Sequence, residues 1–397
     1  MSSPDVIEIL AIILAAGLVS ELVAGILRLP RMIVLLVAGI LLGPELLDAL
    51  DVPLDSIGVQ LLFSLGVSFI LFYGGLGLSL SVLSRVGVGL TLLAIPGVVL
   101  SALIVGVAAM WAFGVPFEVA FLIGAVLAPT DPAILIPLFE RLRVRRKVAQ
   151  TVIAESALND ATGAVLALSV AAFVLSDGST LTEPLVDFVR ELAVSTALGL
   201  VFGLVLALVL SHGGAGLWRE SSAVVLAAVV AANYVSTDAA GGSGYMGAFV
   251  TDVVAGNADS LRLGRAEQHD RELRYVSERI TDIVVLFVFV VVGANLPLGA
   301  MADNAAPALA TLAVLLLVAR PLTVMASLLP DRRGRWSREE MTFVAWTRET
   351  GVVPVALVGL LAAEGVPNEE ELSRSWRSRS SSRWPSSRPR RPGSRAG

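Results

Sequence analysis

The stretch APTDPAILIP, residues 128–137, lies inside an apolar run, and AESALNDATG, residues 154–163, lies inside the next. Asp131 and Asp160 thus fall near the middle of segments long enough to span a bilayer. A charged side chain at that depth costs at least about 2.5–3.5 kcal/mol on insertion scales, so each aspartate needs a partner or a function. Pro129 and Pro132 each remove a backbone donor and push the residue before them away from helical geometry, so the helix is predicted to break here. A break leaves carbonyls and a half-helix end facing a cavity, and Thr130 adds a hydroxyl oxygen. In the following run Ser156, Asn159, Asp160 and Gly163 stand at i, i+3, i+4 and i+7, one narrow polar face of a helix. Carboxylate, amide and hydroxyl oxygens are the hard ligands that a dehydrated alkali cation requires. The carboxylates of Asp131 and Asp160 also take protons, so a proton and a metal ion compete for one site. A single intramembrane aspartate could simply bond a neighbouring helix; two of them, one set between prolines, argue for transport chemistry.

Glu155 stands one residue off this face and is expected to be structural, paired with an intramembrane arginine. Two arginines qualify: Arg320 in LVARPL and Arg348 in TRETGVVP. The second motif, with Gly351 and Pro354, predicts another interrupted helix. Paired interruptions point to a transporter built from inverted repeats. That symmetry relates the fifth span to the twelfth, makes the seventh a linker, and requires a thirteenth helix to partner the sixth.

The elements that must hold these residues are all helical and membrane-spanning. Of 397 residues 55% are hydrophobic and 16% charged, too apolar for a water-soluble domain of this length. The apolar runs are 5–27, 32–43, 57–79, 86–113, 117–138, 148–175, 184–211, 221–236, 242–257, 274–296, 305–329 and 338–362. Arginines and the only lysine collect in alternate connections, for example Arg141, Arg143, Arg145, Arg146 and Lys147, then Arg332, Arg333, Arg335 and Arg338. The intervening loops are nearly free of positive charge, Arg190 excepted. This alternation predicts twelve crossings in the cell membrane with the N-terminus outside. The N-terminal segment has no basic region or small-residue cleavage site, so the first run reads as a retained helix. No cysteine is present, which excludes disulfides and thiolate metal sites. Residues 371–397 are rich in Arg, Ser and Pro and can neither span a bilayer nor bury a core. They read as a disordered tail or, in a GC-rich gene, as a final helix translated out of frame.

TDP in one helix, ESxxND in the next, an Arg-Pro helix and TRxxGxxP near the end together resemble the NhaP branch of the monovalent cation/proton antiporters. The resemblance covers the chain to about residue 370. It implies an all-α polytopic membrane protein with the NhaA-like inverted-repeat antiporter fold, two interrupted helices and, here, a missing last helix. It also implies a core, about 86–175 and 305–362, moving against a dimerisation scaffold in a homodimer. In the family pattern Asp160 is the main ion and proton carrier, assisted by Asp131, Thr130 and Ser156. Asn159 marks the form usually linked to electroneutral exchange, Glu155 and Arg320 form a structural ion pair, and Arg348 is auxiliary. Tyr73, in FYGG, stands where many members carry a glutamate. The implied partners are Na+ or K+, protons and the lipid bilayer, with no cofactor, no enzymatic reaction and no nucleic acid.

The rival readings are a cation channel and an intramembrane aspartyl protease. The protease would need a Gly-x-Gly-Asp motif, which neither ALND nor APTD supplies. Sustained single-channel currents would mark the channel. A retinal-type proton pump lacks its lysine, since Lys147 lies in a loop.

Overall fold

A computed structural model describes residues 3–76, 78, 80–130, 144–175, 182–209, 222–258, 267–347 and 351–363. These residues are helical, with no strand among them. The helices are α1 (Ser3–Leu27), α2 (Arg31–Leu42), α3 (Ile57–Gly75), α4 (Leu80–Ala94), α5 (Pro96–Phe113) and α6 (Phe117–Leu127). Then come α7 (Arg146–Leu175), α8 (Thr182–Val209), α9 (Ser222–Ala239), α10 (Gly244–Gly256), α11 (Glu267–Ala294) and α12 (Leu298–Asp303). The chain continues through α13 (Ala305–Val314), a π-helical turn (Leu315–Ala319), α14 (Arg320–Leu328), α15 (Arg338–Trp346) and α16 (Val352–Ala363). Among the described residues six segments are long and apolar enough to cross a membrane, by length and composition. Leu18, Leu22 and Ile26 of α1 are 68%, 68% and 79% exposed, an outward apolar stripe suited to lipid rather than water.

Two sets of helices pack mainly among themselves. One holds α4, α5, α6, α7, α13, α14 and α15; the other holds α1, α2, α3, α8, α9, α10 and α11. They meet where α7 touches α3, α8 and α10, and where α16 lies between them. α16 packs on α3 and α11 of the second set as well as on α6 and α7 of the first. Within the second set Gly199 and Gly203 bring α8 against the backbone of α10. A Cβ at Gly199 would lie 2.8 Å from the Gly247 carbonyl, and one at Gly203 would lie 2.7 Å from that of Thr251.

Two expected boundaries need correction, and a third span has an irregular interior. The run 86–113 is two helices, beginning at Leu80 and interrupted at Ile95. Pro96 has no N–H to offer the Leu92 carbonyl, so the turn cannot close. The Ser327 hydroxyl of α14 donates to Leu92 O instead, at 3.1 Å, and Thr162 of α7 donates to the neighbouring carbonyl of Ala94. Side chains of other helices thus repair what proline removes. The eleventh span carries a π-turn directly before Arg320, where Pro321 removes another donor. The helix read as 274–296 begins at Glu267, because its amphipathic first turns continue the apolar run.

The first helix set is fastened at one end by the only lysine. Lys147 Nζ lies 2.6 Å from Glu340 Oε2, donates to the Gly334 carbonyl at 3.1 Å, and sits 4.2 Å from the centroid of Trp336. Glu340 also closes a capping box with Ser337, which starts α15. The first turns of α7 and α15 are therefore fixed to each other.

Candidate functional site

The helix that begins at Phe117 stops at Leu127; Ala128 still has helical dihedrals, and Pro129 and Thr130 follow outside any helix. Unwound backbone in an apolar interior must find new partners, and α7 supplies them. The Thr130 N–H donates to Asn159 Oδ1 at 3.1 Å, while Asn159 Nδ2 donates to Thr130 Oγ1 at 2.7 Å. Ser156 Oγ donates to the Thr130 carbonyl. Asn159 Nδ2 also donates to Glu155 Oε1 at 3.3 Å. A carboxylate and a hydroxyl oxygen on one side and an N–H on the other fix which end of the amide is oxygen. Thr130, Glu155, Ser156 and Asn159 are at most 5% exposed.

Gly163 completes the polar face for a steric reason. A Cβ at this position would run into the Pro129 ring, so α7 can approach the break only without a side chain there. Gly163→Ala is expected to cost about 1–3 kcal/mol by overpacking. Thermal unfolding in detergent would read this, and an unchanged midpoint would mean that the break does not depend on this close approach.

α15 ends at Trp346, with Thr347 leaving helical geometry, and α16 starts at Val352. Arg320 joins the end of α15 to Glu155. Its Nη2 donates to Glu155 Oε2 at 2.8 Å and to the Val344 carbonyl at 3.2 Å, and its Nη1 pairs with Glu155 Oε1. Val344 lies in the last turn of α15, where carbonyls lose their helical partners. Both charged residues are almost wholly buried, Glu155 at 1% and Arg320 at 3% exposure. One guanidinium therefore reaches Thr130, through Glu155 and Asn159, and caps the last turn of α15. Thr347 Oγ1 bonds the Phe343 carbonyl at 2.9 Å and helps end α15.

Asp160 follows Asn159 in the same turn of α7 and is partly exposed, with its Oδ1 shielded from solvent. Asp131 and Arg348 lie outside the described residues. Tyr73 is not joined to this group by any hydrogen bond among the described residues. It is 38% exposed, and the charges that act on it, Glu278, Asp282 and Arg274, belong to α11. Among the described residues no three His, Asp or Glu side chains gather as a metal cluster. Sequence reasoning missed the Val344 carbonyl, Thr162 and the Lys147–Glu340 fastening. Only the last left a signal, the SREE capping box at 337–340.

Fold and site define a class: polytopic helical membrane proteins in which a buried ion pair links the chain after one helix, at Thr130, to the last turn of another, at Val344. The sodium/hydrogen exchanger transmembrane profile matches residues 10–374, and the chain belongs to that family. It is 28% identical over 377 residues to "Na(+)/H(+) antiporter 1" of Methanocaldococcus jannaschii, covering 91% of this chain and 84% of that protein. It is 26% identical over 371 residues to "K(+)/H(+) antiporter NhaP" of Alkalimonas amylolytica. That match takes in 91% of this chain but 61% of the relative's length. The solved structure of the sodium proton antiporter MjNhaP1 from M. jannaschii, at pH 8, superposes with a TM-score of 0.78 and 25% identity, covering 92% of this chain and 90% of that one.

Proposed function

We propose that the protein is a secondary active antiporter, not an enzyme, that exchanges Na+ or K+ for protons across the cell membrane by competition at one acidic site. Family membership and the names of the relatives support the class of activity. The observation that carries the site is the clasp of Ser156 and Asn159 around the unwound Thr130, with Asp160 in the same turn of α7. Asp160 is the carrier of cation and proton. Asp131, Thr130 and Ser156 supply further oxygens, and Asn159 holds the break with both ends of its amide. Glu155 and Arg320 are structural.

Only one species occupies the site at a time, so each cation moved one way is matched by protons moved the other, electroneutrally. The helix set around α7 shifts against the set around α3, α8, α10 and α11, which forms the interface of a homodimer; the N-terminus lies outside. Reconstitution into liposomes with an internal pH-sensitive dye tests the function. Adding Na+ or K+ outside should move protons in the opposite direction without generating a membrane potential. Sustained current under voltage clamp, or no proton movement with any alkali cation, would overturn it.

A further inference from the structure

Beside the ion pair lies a small cavity of about 10 Å³ bordered by Ser101, Ala128, Glu155, Asn159, Arg320 and Thr323. Three polar atoms among these residues have no hydrogen-bond partner among the described residues: Ser101 Oγ, Thr323 Oγ1 and Arg320 Nε. Their residues are 4%, 3% and 3% exposed. Buried polar groups in folded proteins are almost always paired, and leaving three unpaired around one space would be costly. Ser101 comes from α5, Thr323 and Arg320 from α14, and Glu155 from α7, so three helices place these groups around the same point.

The chemistry of the wall selects the occupant. Arg320 Nε only donates, so the guest must accept a hydrogen bond, and the guanidinium charge excludes an alkali cation. The Glu155 carboxylate on the same wall excludes an anion. Hydroxyls donate or accept equally well. The space holds about one water, and a buried water needs two to four polar partners. We propose that this cavity is a binding site for one resident water, and that Ser101 and Thr323 are positioning residues that act through it on the cation site. The water completes the guanidinium, whose other two nitrogens are committed to Glu155 and Val344. Glu155 in turn bonds Asn159, and Asn159 holds Thr130. Loosening the water should therefore loosen the oxygens that face the cation, without touching Asp160.

The link to cation binding rests on the antiport reading, while the water itself does not. A high-resolution map of the unaltered protein should show one water within hydrogen-bond reach of all three atoms; a dry cavity, or one closed by side chains, overturns the site even if exchange is normal. In liposomes, Ser101→Ala combined with Thr323→Val should raise the apparent cation KM about three- to tenfold with kcat little changed. Thr323→Ser alone should leave KM near that of the unaltered protein. Equal KM values for all forms, or a loss confined to kcat, overturn the positioning role. Failure of the unaltered protein to exchange any cation would instead fall on the proposed function, and the map would still judge the water.

Discussion

Asp160→Asn is expected to bring cation-driven proton movement down to the level of protein-free liposomes, with the protein still folded. Asparagine nearly matches aspartate in volume and keeps an oxygen, so packing around α7 is retained. What it loses is the charge that draws a dehydrated cation and the atom that takes a proton in exchange. Removing a charge from a membrane interior also removes its desolvation cost, so the unfolding midpoint should change little. Dye-reported exchange and thermal unfolding on one preparation separate the two effects. Retained exchange would remove Asp160 from the role of carrier; lost exchange with a collapsed midpoint would make it structural.

Arg320→Gln should have the largest effect on stability. Glu155 would remain at 1% exposure with no cation to neutralise it, and the Val344 carbonyl would lose its cap. Breaking a buried pair by removing one partner costs about 3–5 kcal/mol, chiefly from the charge left behind. Glu155→Gln should be similarly costly, because it strands the guanidinium. The double replacement, Glu155→Gln with Arg320→Gln, should recover much of the loss, since no charge is then buried alone. A double-mutant cycle on unfolding free energies measures this coupling. Additive losses would mean that the pair is not an energetic unit. Exchange in the double variant should stay low even where stability returns, because glutamine cannot span from Asn159 to the end of α15 with the same fork of donors.

Those two residues show how far the sequence reaches. Glu155 could be separated from the Asp160 face because helical spacing fixes direction, and an intramembrane glutamate demands a partner. Spacing along the chain could not choose between Arg320 and Arg348, since that choice depends on which helices become neighbours; the family resemblance made it. Pro129 marks where α6 has ended, and Gly351 with Pro354 the first turn of α16, because proline's missing donor is a local property. Pro96 carries the same signal, but the unbroken apolar run around it, 86–113, hides the interruption at Ile95. What repaired each break was invisible from sequence: Ser327 to Leu92, Thr162 to Ala94, and Arg320 to Val344 are contacts between segments far apart in the chain. Gly163 was visible as a member of the polar face, but its purpose, room for Pro129, needed the structure.

If one acidic site accepts a proton or a cation but never both, apparent cation affinity must weaken as pH falls. The limit is about tenfold per pH unit where the site is mostly protonated. The sign is fixed by linkage: protons bound to the free form must leave before the cation enters. The most direct measurement is therefore made without transport. Na+ or K+ is added to the purified protein in weak buffer, and released protons are counted. The account predicts proton release on cation addition, vanishing in Asp160→Asn. Cation binding with no proton release, or equal release from the Asp160→Asn protein, would contradict it.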